Sequence, residues 1–201
     1  MSFVQQVSGE GRGCNRQAEK DIHADAIAVT KTDLLQGLPA HIPNDCRVLV
    51  LGSMPGNASL HAAMYYAHPR NRFWPLMQEL LGIDAGLAYP ARLQALADCK
   101  VGLWDVIGQC ERRGSLDTAI VASSIVVNPL AARLASLPQL RAVACNGAAA
   151  AQAWRRHVQP LLPVALHTLP VWALPSTSPA NAAWSLPRLC AAWQPLRDAL
   201  D

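Results

Sequence analysis

Hydrophobic and polar positions change rhythm near residue 45. Before that point the chain is polar, glycine-containing and without sustained periodicity; beyond it, short apolar runs alternate with amphipathic stretches. RVLVLG (47–52) is β-branched, apolar and stopped by glycine, which predicts a buried strand. VGLWDVI (101–107) and RAVACNG (141–147) repeat the pattern, while VALHTL (164–169) and VWALP (171–175) predict a fourth strand and a fifth. RFWPLMQELLG (72–82) has helical spacing: Phe73, Leu76, Met77, Leu80 and Leu81 share a face, Pro75 fits the first turn, and Gly82 marks the C-terminus. PARLQALADCK (90–100) opens a second helix with proline. NPLAARLASLP (128–138) offers Asn128 as N-cap with Pro129 behind it. AAAAQAWRRHV (148–158) continues directly from the third apolar run, and SLPRLCAAWQPLRDAL (185–200) predicts a last helix with Pro195 as a point of kinking. IHADAIAVTKTDLLQGL (22–38) has the composition of one more short helix.

Strands alternating with helices predict an α/β fold: a three-layer α/β/α arrangement around a central, mainly parallel four-stranded sheet. The organisation expected is a flexible N-terminal extension over residues 1–44 and a single domain over residues 45–201. The 201 residues are 51% hydrophobic and 15% charged, enough apolar material for a core and too little charge for global disorder. No apolar run approaches the roughly 18–20 residues of a membrane span, and MSFVQQVSGEGRG lacks both the basic start and the apolar centre of an export signal. A cytoplasmic protein without a membrane partner is expected. Its 17 basic and 14 acidic residues leave a net charge of +3, without the basic block of a non-specific DNA binder.

The six cysteines stand singly, with no C-x-x-C pair, and the histidines form no i, i+4 pair. Reduced, idle thiols and no metal are the expectation. An iron–sulfur cluster on four scattered thiolates is the less economical alternative.

Ligands of parallel sheets collect beyond the strand C-termini, and three unusual loops lie there. The first, Leu51–Trp74, carries GSMPG and then YYAHPRNRFW: two tyrosines, a histidine, an asparagine and two arginines in a predicted loop. Such aromatics with arginines suit base stacking and phosphate contact. Neither the G-K-[ST] of a phosphate loop nor the G-x-S-x-G nucleophile elbow is present. The second loop is Asn146-Gly147, where an amide offers the donor and acceptor that read a base edge, or simply caps a helix. The third, LPSTSPANAAWS (174–185), supplies hydroxyls and backbone amides for phosphate oxygens, or is a Pro/Ser turn.

In order and in position, these loops resemble the motifs of the uracil-DNA glycosylase superfamily. GSMPG with YYAHPRNRFW looks like the first motif of its mismatch-specific branch, STSPAN looks like the second, and GLWDVI with RRGSLDTAI is similar to the hypoxanthine-DNA glycosylase-like group. The resemblance runs from about Arg47 to the C-terminus. It implies a monofunctional DNA N-glycosylase that flips out a deaminated base (hypoxanthine, uracil or mismatched thymine) and hydrolyses its N-glycosidic bond to leave an abasic site. DNA is the implied partner, water the only co-substrate, no cofactor is needed, and a monomer suffices.

The resemblance also distributes roles. Asn71, in A-H-P-x-N, is the implied catalytic residue that orients water. Tyr66 would stack on the flipped base, Asn146 would read its edge, and Ser53, Met54, Pro55 and Gly56 would hold it. Ser176, Thr177, Ser178, Pro179, Asn181, Arg70 and Arg72 would grip the DNA backbone. Two departures stand out: Met54 occupies the place of a catalytic asparagine of the mismatch-specific relatives, and Ser176-Thr177 replace the histidine of H-P-S-P. They argue against fast uracil excision and leave two other classes standing, a catalytically weakened damaged-DNA-binding protein and an unrelated α/β hydrolase or phosphate binder using Ser53.

Overall fold

A computed structural model describes residues 34–201. Among them are seven strands: β1 (Leu34–Gln36), β2 (Val48–Gly52), β3 (Val101–Asp105), β4 (Ile107–Glu111), β5 (Val126–Val127), β6 (Ala142–Asn146) and β7 (Val171–Leu174). The α-helices are α1 (Asn57–Ala62), α2 (Phe73–Leu81), α3 (Tyr89–Asp98), α4 (Leu130–Ala135), α5 (Ala148–Ala153) and α6 (Leu186–Asp198). A four-stranded sheet runs in the order β3-β2-β6-β7 with every pairing parallel. All five residues of β2 are buried, because helices cover both faces of the sheet, and the strand therefore reads as a continuous apolar run.

Alternation along β2 sorts the core into two layers. Val48 and Val50 face a cluster that includes Phe73, Leu76, Met77 and Leu80 of α2 and Leu189, Trp193 and Leu196 of α6. Leu49 and Leu51 face the other side with Leu130 and Leu134 of α4, Ala150 and Ala151 of α5, and Trp154. The expected three-layer α/β/α architecture is thus formed. Gly82 closes α2 at φ 72°, in the left-handed region, as its place after the last apolar turn predicts.

Several local expectations are corrected. VALHTL is not a strand: Val164–Leu166 makes a 3₁₀ turn between Pro163 and Pro170, with Val164 exposed, and only the run after Pro170 joins the sheet. The first loop is not irregular throughout, since α1 interrupts it. Asn128 does not cap α4, whose cap position is Pro129; its Nδ2 donates instead to the Asp105 carbonyl at 2.9 Å. Asn128 thereby braces the end of β3.

VGLWDVI splits into two strands. The chain turns at Val106, whose N–H bonds Gly52 O while that of Ile107 bonds Ser53 O, both at 2.9 Å. The first half stays in the parallel sheet; the second enters an antiparallel sheet ordered β1-β4-β5. Residues 34–44, placed by their polarity in the extension, belong to this structure: β1 pairs with β4, and His41 bridges Leu103. A three-residue edge strand is too short for its alternation to register as a pattern. It also replaces the C-terminal part of the helix expected over 22–38, whose remainder, like the rest of the expected extension to residue 33, lies outside the described residues. The corner at Val106 leaves Asp105 at the meeting point of both sheets.

Candidate active site

Beyond the C-terminal ends of β2, β3, β6 and β7 lies a cavity of about 360 Å³. It gathers most of the residues singled out in the sequence: Ser53, Met54, Pro55, Gly56, Tyr66, Asn71, Asn146, Ser176, Thr177, Ser178 and Pro179 all line it. Three loops distant in sequence therefore form one site.

Tyr66 adopts a left-handed backbone conformation, φ 56°, uncommon for a bulky residue. Its ring stacks on Phe73 at 3.9 Å between centroids and 22° between planes, and Phe73 is itself locked in the core against Trp193. Burial pushes the Tyr66 hydroxyl well above the usual phenol range, helped by the charge of Asp105 and opposed by Asn146. Asn71 sits at the entry to α2. Its Oδ1 accepts the Phe73 N–H at 3.0 Å, satisfying one of the free donors of the first helical turn and fixing the amide at the cavity wall. Oδ1 keeps a second lone pair and Nδ2 its donors for the cavity.

Asn146 is tied to the third loop at both ends of its amide. Its Nδ2 donates to Thr177 Oγ1 at 3.0 Å, and its Oδ1 accepts the Thr177 N–H at 2.9 Å. Thr177 is fully buried, so this residue clamps the loop and presents no hydroxyl to a DNA strand. The adjoining Gly147 is indispensable: φ is +105°, and a Cβ there would lie 2.9 Å from the Ser176 side chain. Ser176 and Ser178 each accept an amide of their own loop through Oγ, at 3.2 and 3.3 Å, leaving both hydroxyl protons to donate.

Arg72 and Asn181 do not line the cavity. The Arg72 guanidinium donates to the carbonyls of Trp184, Ser178 (2.6 Å) and Asn181 (3.0 Å), and its N–H bonds Thr177 O. It is a brace between α2 and the third loop, and its donors are spent there rather than held out to phosphate. Asn181 donates to Ser176 O at 2.9 Å within the same loop. Arg70 is exposed on the first loop, as a phosphate contact would require. Met54 packs with Ile107 and Cys110 in a small apolar cluster, 6% exposed, and brings no polar group to the cavity.

Sequence reasoning passed over the acidic and loop-fastening residues. Asp105, at the end of β3, is 5% exposed and lines the cavity. Its Oδ2 is buried without a hydrogen-bond partner among the described residues. Its Oδ1 lies 2.3 Å from where a Cβ on Gly52 would stand, so only glycine at that position admits the carboxyl. Burial pushes Asp105 up to about 7, the negative charge of Asp117 adds to the rise, and Arg112 offsets part of it. Arg112 is 2% exposed and donates to Gly114 O (2.9 Å) and Pro55 O (2.6 Å). Ser115 Oγ accepts the Asn57 N–H at 3.0 Å, and Ser53 Oγ donates to Asp117 Oδ1 at 2.7 Å. RRGSLD is thus fastened to GSMPG and forms a fourth wall, with Leu116 59% exposed at the rim. An aspartate ending an otherwise apolar strand at the ligand end of the sheet was the available signal.

Among the described residues no group of three or more histidines, cysteines or acidic side chains could hold a metal ion, and no helix is long and apolar enough to cross a membrane. Cys46 and Cys145 are buried, with thiols pushed up to about 11 and 12 by desolvation, which keeps them protonated and unreactive.

Two stability measurements check this geometry. Arg72→Ala should cost about 1.5–3 kcal/mol in urea unfolding, since it removes a charged donor from several loop carbonyls; Arg72→Lys should recover only part, lacking the planar fork. For Asp105, the unfolded carboxyl ionises near 3.8 and the folded one near 7. Between those values the folded state holds a proton that the unfolded state lacks, so this group's contribution to stability falls as pH rises through that window. Asp105→Asn should therefore gain in thermal midpoint relative to wild type between about pH 5 and pH 8. A constant difference would mean an ordinary carboxylate.

The family model of the uracil DNA glycosylase superfamily matches residues 39–199. A hypoxanthine DNA glycosylase of Methanosarcina acetivorans is 33% identical over 151 residues, covering 75% of this chain and 90% of that protein. One of Methanosarcina barkeri is 39% identical over 113 residues, 56% of this chain and 70% of the relative. The solution NMR structure of a Methanosarcina acetivorans protein described as a candidate uracil DNA glycosylase superposes with a TM-score of 0.70 at 30% identity, covering 84% of this chain and 99% of that one. Loops, sheet and sequence agree: this chain belongs to the uracil DNA glycosylase superfamily.

Proposed function

We propose that the protein is a DNA repair glycosylase that draws a deaminated base, hypoxanthine foremost, out of the duplex into the 360 Å³ cavity and hydrolyses its N-glycosidic bond. The observation that carries this reading is the convergence of a stacked aromatic, Tyr66 on Phe73, with Asn71 and hydroxyl-bearing loops around one cavity. That space lies near the lower end of the roughly 300–1,000 Å³ range of small-molecule pockets, which suits one base. The relatives named hypoxanthine DNA glycosylases support the choice of base.

In this mechanism unstacking is the first cost, a few kcal/mol and least at a mismatch. Tyr66 offsets it by stacking, and the wall from Ser53 to Gly56 holds the base. Asn71, steadied by its bond to the Phe73 amide, orients the attacking water. Ser176, Ser178, Pro179 and Arg70 meet the DNA backbone, while Thr177, Asn181 and Arg72 keep the third loop in shape. Exposed Leu116 at the rim suits contact with the disturbed stack.

One observation favours a second reading. Buried Met54 supplies no polar group at the first motif, as expected of a protein that binds damaged DNA of the same kind without turnover. Single-turnover assays on duplexes with deoxyinosine, uracil or a G·T mismatch separate the two, with alkali-labile abasic sites expected from deoxyinosine. Asn71→Ala should slow excision about 10²-fold or more while the protein stays folded. Tyr66→Ala should weaken damaged-site recognition by about 1–3 kcal/mol. Tight binding of deoxyinosine DNA without abasic sites would establish the second reading instead.

A further inference from the structure

The function proposed above uses Asn71 and Tyr66 but gives no part to Asp105, a buried acid of the cavity lining. Asp105 ends β3 with its carboxyl against Gly52; the residue lines the cavity at 5% exposure, and its Oδ2 is buried without a hydrogen-bond partner among the described residues. A buried carboxyl oxygen without a hydrogen-bond partner is costly, and a catalytic role is one of the reasons a protein retains such a group. We infer that the Asp105 carboxyl is the acid that protonates the departing purine, and that it thereby fits this site to hypoxanthine. The inference rests on the glycosylase reading and adds the source of the proton.

The chemistry balances without a further reactant. The O–H bond of the neutral carboxyl breaks and its proton passes to a ring nitrogen of the extruded purine. The bond between C1′ and N9 then breaks with its electron pair remaining on the base, which leaves as neutral hypoxanthine. The water held by Asn71 adds its oxygen to C1′ and releases a proton, which restores the Asp105 carboxyl. Without that proton the purine would depart as an anion, a poorer leaving group in a partly apolar cavity.

The surroundings suit an acid at neutral pH. Desolvation is the largest force keeping the proton on Asp105, the negative charge of Asp117 on the RRGSLD wall adds to it, and Arg112 at the end of β4 opposes both. Tyr65 and Tyr66 line the cavity from the first loop as phenols kept neutral by burial, and His68 lines it on the same loop. β2 and β6 present Gly52, Ser53 and Asn146, which carry no charge. The group thus keeps its proton up to about pH 7, far above the ordinary carboxylate range.

The test is single-turnover release of hypoxanthine from deoxyinosine duplexes between about pH 5.5 and pH 9, with Asp105→Asn and Asp117→Asn beside wild type. An acid of this kind supplies about 10²–10⁴-fold. Wild type should lose rate progressively above about pH 7. Asp105→Asn, similar in shape and with folding checked by circular dichroism, should be slower by about 10²-fold or more at pH 6 and should lack that alkaline fall. Asp117→Asn should move the fall to lower pH, because it removes a charge that holds the proton on. An Asp105→Asn enzyme as fast as wild type, or one that keeps the alkaline fall, overturns the inference, as does a fall unmoved by Asp117→Asn. Wild type that releases no hypoxanthine at any pH would instead overturn the glycosylase reading itself, so the two failures are told apart.

Discussion

The contact on which the site depends is the one between a residue without a side chain and a buried carboxyl. Gly52 ends β2 and Asp105 ends the adjacent β3 in register, and the absent Cβ is the space the carboxyl occupies. From that point the chain leaves the parallel sheet at Val106 to enter the antiparallel one, and Asn128 holds the Asp105 carbonyl from outside. The corner fixes the RRGSLD wall over the GSMPG loop. The same corner buries an ionisable group, and the rest of the sheet's packing must carry the cost of keeping it there.

Rigid braces surround that point. Arg112 fastens the fourth wall to the first loop, Arg72 fastens α2 to the third, and Asn146 with Thr177 closes the third loop onto β6. Each brace spends donors on backbone carbonyls or on a buried hydroxyl, which accounts for a site held in one geometry by a chain of only 15% charged residues. The proposed binding by stacking, backbone contacts and a few hydroxyls would need only a short footprint around one nucleotide, with which a net charge of +3 is compatible.

How much was legible in the sequence follows from how local each feature is. β2, β3, β6 and α2 were readable because burial on two faces, or on one helical face, writes itself into consecutive residues. The gathering of Tyr66, Asn71, Asn146 and the serine loop followed from motif order together with the rule that ligands lie beyond strand ends. What escaped was set by tertiary contact. β1 has three residues, and its register comes from β4, far along the chain. Arg72 looked like a phosphate ligand until the folded third loop supplied carbonyls for it. Asp105 looked like the polar end of a strand, and only the position of Gly52 and the cavity shows that its carboxyl is sealed from bulk water.

The property on which the proposed acid depends is a carboxyl that keeps its proton far above the ordinary carboxylate range, up to about pH 7. A carbon-13 NMR titration of the Asp105 side-chain carboxyl, assigned by comparison with Asp105→Asn, measures that property directly in the free, folded protein. A midpoint near 7 is expected. A midpoint near the ordinary value of 3.8 would show an ionised carboxylate at neutral pH and contradict the proposed role.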